Sequence, residues 1–220
     1  MQYRKDPLIT GECYHVFTRS IAKYIIFNND NDFTRIIETI NLFHFSNFKS
    51  AYPSYKKLSF NTQNEILKNL QKENQKLVEI IAYCVMPTHI HLVLRQLEDN
   101  AISNFMSRIL NGYSKYFNIC HQRSGPLFEG RFKSVHIKDD EQLLHLTRYI
   151  HLNPVSAGLI DKPEDWQYSS YHEYLDDNVN KICDFNLILD FVPVKYEQFV
   201  NDQKSYQREL QIIKNLTIDV

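Results

Sequence analysis

The chain has 220 residues, of which 43% are hydrophobic and 23% charged, so it is long enough for one globular domain with a proper core, or for one domain and an appended piece. No run of 18 or more apolar residues occurs, which excludes a membrane-spanning helix, and the four scattered cysteines indicate neither a cysteine zinc site nor a disulfide framework. The polar N-terminus does not resemble a secretory signal, so we expect a reducing, cytoplasmic location and no membrane partner.

Charge is unevenly distributed along the chain, although the net charge is only −1. Residues 101–138 hold six basic side chains and one acidic side chain, whereas residues 161–220 hold twelve acidic and six basic ones. A basic middle is typical of a nucleic-acid contact surface, because phosphate binding needs clustered Lys and Arg. The same imbalance also fits a solvated helix face, and charge alone does not separate these two interpretations.

The first part of the chain predicts one strand followed by helices. Alternate residues of the strand, counted from Tyr14 and from His15, are expected on opposite faces. Asp30 or Asn31 can cap the first helix, whose apolar residues recur at helical spacing. The predicted elements are, in order, a strand over residues 11–19, a helix over 31–48, a loop over 50–57 and a helix over 61–76.

The centre of the chain predicts strand, turn and strand, with strands over residues 79–85 and 89–96 and a break at Pro87. Because side chains alternate along a strand, His89 and His91 share one face, while the apolar residues between and after them share the other. Two imidazoles two residues apart on a rigid strand can bind one divalent metal. The alternative is a pair of strand histidines that face water or pack beneath a helix.

A long helix with an aromatic stripe, expected to be core, is predicted over residues 101–121, and a fourth strand over 131–138. Acidic residues then open another helix, where the helix dipole favours them. We expect this helix to stop near Asn153, because a residue that precedes proline is pushed out of the α region. Tyr149 lies one turn before Asn153, on the same stripe. Taken singly, Tyr149 is better explained as a packed ring and Asn153 as a helix cap.

The order strand, helix, strand, strand, helix, strand predicts an α+β fold of the ferredoxin-like (split βαβ) type, with an antiparallel sheet and helices on one face. The additional helix that carries Tyr149 must pack elsewhere, and the sheet face that carries the two histidines is a candidate. Residues 176–220 are acidic and are expected to form a C-terminal, partly helical extension.

Five segments of the chain carry patterns that occur together in one known family: residues 14–19, 86–92, 125–133, 149–159 and 166–171. They resemble the single-tyrosine HUH transposases, and most closely the branch of REP-associated tyrosine transposases. The resemblance covers about residues 8–175, which suggests one domain over residues 1–175 with a possible helical insertion over 49–76, and the extension 176–220 outside it. Thr88 departs from the family pattern, in which Asn or Glu is commoner.

The resemblance implies a function for individual residues. His89 and His91 match the histidine pair that binds a divalent metal, Asn153 matches the third ligand, and Tyr149 matches the nucleophile. His151 stands between the last two and could compete as a ligand. The implied activity is nicking and rejoining of single-stranded, hairpin-containing DNA through a 5′-phosphotyrosine intermediate, with Mg²⁺ or Mn²⁺ as the metal and a monomer or homodimer as the active form.

Five basic residues are candidates for contacts with DNA phosphates, although each could also be a solvated surface charge: Arg19, Lys115, Arg123, Arg131 and Lys133. Two other functions stay open at this point. One is a catalytically silent DNA- or RNA-binding module on the same fold. The other is a zinc-dependent hydrolase whose metal is bound by His89, His91 and either His145 or His151.

Overall fold

A computed structural model describes residues 7–176, 181–185 and 193–202, so most of the predicted extension lies outside the described residues. Among the described residues, no helix is long and apolar enough to cross a membrane. The strands are β1 Cys13–Arg19, β2 Val78–Met86, β3 His89–Gln96 and β4 Lys133–His136. The helices are α1 Asp30–Phe43, α2 Tyr52–Lys56, α3 Phe60–Glu73, α4 Ala101–Cys120, α5 Asp140–Ser156, α6 Tyr171–Leu175 and α7 Pro193–Asn201.

The four strands form one antiparallel sheet in the order β2-β3-β1-β4. This order is that of a ferredoxin-like sheet, and it confirms the predicted α+β fold class. His91 of β3 lies opposite Phe17 of β1 on one side and Cys84 of β2 on the other. Directly opposed residues of antiparallel strands point to the same face, so the two central strands bring β1 side chains next to the histidines.

Helices α1 and α4 pack on the sheet face formed by Ile90, Leu92 and their neighbours. The aromatic stripe of α4 is buried there, as its helical spacing predicts. The Asn29 side chain accepts a hydrogen bond from the Asp32 amide at 3.2 Å and caps α1. The predicted caps Asp30 and Asn31 instead belong to the first turn.

The opposite sheet face, which carries His89 and His91, is covered by α5, α6 and α7. Residues of α5 such as Leu146 and Ile150 are fully buried against apolar side chains of β2 and β3. The tyrosine-bearing helix therefore packs on the face that the topology leaves available. The sheet has helices on both sides, and the histidines lie in the second layer.

The segment after α5 protects the outer edge of β2. The Val85 amide donates to the Tyr168 carbonyl at 2.9 Å, and the Ser170 amide donates to the Tyr83 carbonyl at 2.9 Å. The indole of Trp166 donates to the Val85 carbonyl at 3.1 Å. An unpaired strand edge can pair with a strand of another chain. The hydrogen bonds from this segment cover the edge of the sheet at β2 and so oppose such pairing.

Helix α5 continues past Asn153 to Ser156, so the predicted stop before Pro154 was wrong. Pro154 removes only the hydrogen bond to the Ile150 carbonyl, and other backbone hydrogen bonds stabilise the end of the helix. Gly158 adopts φ +67°, and its amide donates to the Val155 carbonyl. The Leu159 amide donates to the Pro154 carbonyl. This is a Schellman motif, which satisfies the last carbonyl groups of the helix.

Other boundaries differ by smaller amounts. The predicted loop over residues 50–57 contains the short helix α2, with Pro53 in its first turn, where a missing amide costs nothing. Helices α2 and α3 both lie within the stretch from 49 to 76. Helix α1 ends at Phe43 rather than near residue 48, and β4 is confined to the residues that pair with β1.

Candidate active site

His89, His91 and Tyr149 come together where α5 crosses β3. The ring centroids of His89 and His91 are 4.9 Å apart, and those of His91 and Tyr149 are 6.0 Å apart with the rings perpendicular. The Tyr149 side chain is 6% exposed and His91 is 1% exposed. The structure thus places the predicted nucleophile, on α5, against the predicted metal ligand His91, on the sheet face that α5 covers.

His91 has one ring nitrogen engaged and one without a partner. Its Nδ1 atom lies 2.9 Å from Nε2 of His15, which is fully buried on β1. Its Nε2 atom is buried and has no hydrogen-bond partner among the described residues. A buried polar atom without a partner is uncommon in a folded protein, so this nitrogen calls for an explanation.

The His91 imidazole is held in its neutral form. Burial lowers its pKa well below the ordinary value, and the adjacent His15, His89 and Arg19 lower it further because a second positive charge would be repelled there. A neutral imidazole has a lone pair to offer, whereas an imidazolium has none. The environment therefore favours the form of His91 that can bind a metal.

His89 has a similar local partner. Its Nδ1 atom lies 2.9 Å from the hydroxyl oxygen of Thr88, the position at which the chain departs from the family pattern. Threonine thus still provides a polar side chain that can hold this ring in place. Position 88 therefore provides a hydrogen-bonding group next to His89 in this chain.

Asn153 lies one turn after Tyr149 on α5 and is 7% exposed, and its Nδ2 atom is buried with no hydrogen-bond partner in the described part of the chain. A carboxamide can turn about its last bond and present its oxygen in place of its nitrogen, so this group can serve as an oxygen ligand. Nε2 of His91 and Nδ2 of Asn153 are thus two buried polar atoms of the predicted metal ligands for which the described residues provide no hydrogen-bond partner. The residues present fit a divalent cation.

The histidines of the zinc-hydrolase alternative are not gathered into one site. His151 uses both ring nitrogens elsewhere, at 2.7 Å from the Tyr196 hydroxyl and 2.8 Å from the Ser170 hydroxyl. The His145 ring packs near Phe199 and lies 3.8 Å from a Glu141 oxygen. No group of three or more His, Cys, Asp or Glu side chains in the described ranges could hold a metal ion. Within the described residues, a third protein ligand for the His89 and His91 pair would have to be of another residue type, and Asn153 is the one that the sequence predicts.

The five residues predicted to contact DNA do not form one surface. Arg19, Arg131 and Lys133 line one recess at the end of β1, together with Glu129. Arg19 is also directly opposite His89 in the sheet. These three cations therefore lie on the rim of the histidine site.

Arg123 and Lys115 lie elsewhere. The Arg123 guanidinium donates to the Asn118 side chain at 3.0 Å and to the Pro126 carbonyl at 2.9 Å, so it braces the turn after α4. Lys115 lines a groove between α1, α4 and the start of α2, with Arg35 and Arg108. That groove is on the opposite side of the sheet from Tyr149.

His15 is the residue of the site that the sequence pattern did not single out. Its place on the same predicted face as Phe17 and Arg19 was available from the alternation of β1. What was missing is the register of β1 against β3, which sets His15 diagonally beside His91.

Three comparisons connect the chain with known proteins. The family model described as "Transposase IS200 like" matches residues 14–153, which is more than half of the chain. A REP-associated tyrosine transposase of Haemophilus influenzae is 35% identical over 106 residues, or 43% of this chain. A REP-associated tyrosine transposase of Escherichia coli K12 is 26% identical over 113 residues, or 50% of this chain. The matched regions span 59% and 66% of these two relatives, less than two thirds of either.

A solved structure of a REP-associated tyrosine transposase bound to a REP hairpin has the same fold, with a TM-score of 0.52 at 16% identity. The match covers 85% of this chain and 96% of that one. The family model ends at Asn153 and so includes the two histidines, the tyrosine and the asparagine of the site. The chain belongs to the IS200-like transposase family.

Proposed function

We propose that this protein nicks and rejoins single-stranded DNA by transesterification, with Tyr149 as the nucleophile. The observation that carries the proposal is the perpendicular contact of the Tyr149 ring with His91, at 6.0 Å between centroids, on the helix that covers the histidine face. Because the phenol lies next to an imidazole that could bind a metal, the nucleophile and the metal could act on the same phosphate. The family assignment supports the same chemistry.

In the proposed step, the Tyr149 oxygen forms a bond to phosphorus as the bond between phosphorus and the 3′-oxygen breaks. The phenol loses its proton to a base, and the departing 3′-oxygen takes up a proton and becomes a hydroxyl. The product is a 5′-phosphotyrosine and a free 3′-hydroxyl. Because the number of phosphodiester bonds is unchanged, the 3′-hydroxyl of another strand can reverse the step.

His89, His91 and Asn153 would hold a divalent metal, Mg²⁺ or Mn²⁺. When bound, such an ion supplies Lewis acidity at a phosphate oxygen. The role of the protein is to keep His91 neutral by burial and to keep water away from the reacting atoms. The unpartnered atoms of His91 and Asn153 support this ligand set.

We infer that the substrate is single-stranded DNA with a hairpin, on the precedent of the relative whose solved structure holds a REP hairpin. Arg19, Arg131 and Lys133 would contact the phosphates that flank the cleaved bond, because they line the rim next to His89. The protein would act as a monomer or a homodimer.

A DNA-binding module without catalysis is the second candidate. The observation that favours it is the low exposure of Tyr149, at 6%, since a nucleophile must meet its phosphate. The two functions make different predictions for the same assay.

The test is adduct formation with single-stranded oligonucleotides that each carry one hairpin, in Mg²⁺ or Mn²⁺, followed by denaturing gels. A 5′-phosphotyrosine retains the strand on the 3′ side of the cut, so a label at the 3′ end should migrate with the protein, and a label at the 5′ end should leave. Tyr149→Phe should abolish the adduct and preserve DNA binding.

Tyr171→Phe is the matched control. Tyr171 is fully buried in the same layer, and its hydroxyl has no hydrogen-bond partner within the ranges that the structure describes, so this change removes an oxygen and breaks no described hydrogen bond. Adduct formation should survive it. An adduct that also survives Tyr149→Phe would remove Tyr149 from its role, and hairpin binding without any adduct in the unmodified protein would favour the binding module.

A further inference from the structure

We propose that His15 is a positioning residue, which accepts a hydrogen bond from Nδ1–H of His91 and thereby leaves Nε2 of His91 as a lone pair for a metal. This inference rests on the proposed function, because it assigns a purpose to a contact of the proposed metal ligand. It adds a residue on β1 to a site whose other members lie on β3 and α5.

The geometry of the two rings is that of a directed hydrogen bond. The joined nitrogens are 2.9 Å apart, the ring planes differ by 14°, and the centroids are 5.2 Å apart. The centroid separation exceeds the nitrogen separation by about two ring radii, so the imidazoles lie edge to edge in nearly one plane. The donor N–H thus points along the lone pair of the acceptor.

Burial and packing protect this contact from water. His15 is 0% exposed and His91 is 1% exposed, so bulk water does not compete for the two nitrogens. The Phe17 ring packs beside His15 at 4.8 Å between centroids and restricts its rotation. The His15 ring therefore offers His91 one fixed partner.

A hydrogen bond between two neutral imidazoles can run in either direction, and each direction fixes both tautomers. If His15 donated, His91 would carry its proton on Nε2, where the described residues offer no acceptor. That donor would be buried and unsatisfied. If His91 donates, its proton is on Nδ1 and Nε2 is a bare lone pair. The second direction leaves His91 with no unsatisfied donor and produces a metal ligand.

His89 repeats the arrangement. Its Nδ1 atom contacts the Thr88 hydroxyl at 2.9 Å, which can accept its proton. Both histidines of the pair would then use Nδ1 for a protein partner and Nε2 for the metal. Partners of this kind orient metal-binding histidines and fix their tautomers in other metalloproteins.

The direct test is the tautomer of His91, measured without metal by two-bond ¹H–¹⁵N NMR correlation of protein labelled with ¹⁵N-histidine, at a pH where the ring is neutral. We expect His91 to carry its proton on Nδ1. In His15→Leu, which has a similar volume and no acceptor, we expect the Nε2–H form that isolated histidine prefers. In His15→Gln, whose carboxamide oxygen can take the place of the ring nitrogen, we expect the Nδ1–H form to return.

The second readout is Mn²⁺ affinity, measured by titration calorimetry or by electron paramagnetic resonance, without DNA. We expect His15→Leu to weaken binding by about 10- to 100-fold, as the loss of an orienting partner does elsewhere, and His15→Gln to recover most of the affinity. Thermal unfolding of each variant verifies that it is folded. If His15→Leu lost Mn²⁺ affinity because it misfolded, the carboxamide of His15→Gln would not be expected to restore the affinity.

His136→Gln is the control, because His136 is a strand histidine on the neighbouring β4 that contacts Glu12 and lies on the other sheet face. Its effect on both readouts should be nil. An unmodified protein that binds no Mn²⁺ would overturn the proposed metal site itself. An Nε2–H tautomer of His91 in the unmodified protein, or equal Mn²⁺ affinity in His15→Leu, would overturn the role of His15 alone.

Discussion

His151 is part of a continuous chain of buried hydrogen bonds that joins α5 to β2 and α7. The Tyr83 amide donates to the Ser170 oxygen, and the Ser170 hydroxyl can donate to Nε2 of His151. Nδ1–H of His151 can then donate to the Tyr196 oxygen, and the Tyr196 hydroxyl donates to Thr147 at 3.0 Å. Every group in this chain is satisfied when His151 is neutral.

The acid stability of the protein should depend on His151. Burial lowers the pKa of His151 from 6.5 to about 3, with a smaller contribution from nearby His172. Between about pH 3 and pH 6.5, His151 is protonated in the unfolded chain and neutral in the folded protein. The free energy of unfolding therefore falls as the pH falls below about 6.5, and His151 does not affect it above that pH. We expect His151 alone to cost about 2 kcal/mol between pH 7 and pH 5. Urea unfolding of His151→Gln should show a pH dependence that is smaller by this amount.

Thr147→Val is the matched control, since it removes a hydrogen bond from the same chain and no ionisable group. It should lower stability equally at pH 7 and pH 5. Buried His44, whose pKa is lowered to about 4 mainly by burial, will leave a residual slope in both variants. A slope unchanged in His151→Gln would contradict the prediction.

Prediction from sequence succeeds at residues whose role follows from local spacing and fails where two distant segments must meet. His89 and His91 share a face because strand side chains alternate, and the structure bears this out. His151 lies only two residues from Tyr149, yet two residues along a helix turn the ring to another side. The role of His15 depends on which strand pairs with β3, which spacing within β1 does not reveal.

At the scale of elements, the end of α5 controls how the tyrosine helix is anchored. Pro154 removes one hydrogen bond near its end, and Gly158 closes it in the left-handed conformation, with φ +67°. A residue with a Cβ is strained in that conformation. Apart from Gly158 and its two chain neighbours, no atom of the described residues lies within 4 Å of the position that a Cβ at Gly158 would take, so strain rather than collision would decide the effect of a substitution.

We expect Gly158→Ala to destabilise the protein by about 1 kcal/mol, because alanine would be held in the left-handed region. Gly112→Ala is the comparison, in the helical interior of α4, where a Cβ would also meet nothing within 4 Å. It should stabilise the protein by about 0.5–1 kcal/mol, since alanine loses less backbone entropy on folding. Urea unfolding midpoints measure both changes, and a shift of the same sign in the two variants would refute the argument.

The boundaries that the sequence predicted wrongly have physical explanations. The rule that a residue before proline avoids the α region gave the wrong end for α5, because the Schellman motif at Gly158 and burial against the sheet compensate for one missing hydrogen bond. Residues 50–57 were expected to be a loop because of Pro53. Proline at the first turn of a helix is in fact well tolerated, and that is its place in α2.

At the scale of the whole molecule, the cations that sequence grouped as one basic region are split between two sides of the sheet. Arg131 and Lys133 are exposed on the rim of the histidine site, whereas Lys115 is exposed in the groove across the sheet. Sequence predicted the basic stretch and the order of elements, and hence the fold class. It did not predict which cations share a surface, because α4 and β4 lie in different layers.

A DNA strand that reaches Tyr149 should therefore contact the rim. We expect the double variant Arg131→Gln, Lys133→Gln to reduce the slope of log affinity against log salt by about 1.4 for single-stranded hairpin DNA, or about 0.7 for each lost phosphate contact. Fluorescence anisotropy over a range of salt concentrations gives this slope. Lys115→Gln should leave it nearly unchanged, and a loss at Lys115 with none at the rim would place the DNA on the other side.

Helix α7 is tied to the helix that carries the proposed nucleophile. The Tyr196 hydroxyl contacts both Thr147 and His151, and the Arg148 guanidinium donates to the Asp202 carbonyl. These bonds hold α5 on either side of Tyr149, so a slide or tilt of α5 relative to α7 would break them. Any excursion that uncovers the phenol has to carry this C-terminal anchor along or break its buried bonds, and the ease of that motion is set by residues far downstream of the tyrosine.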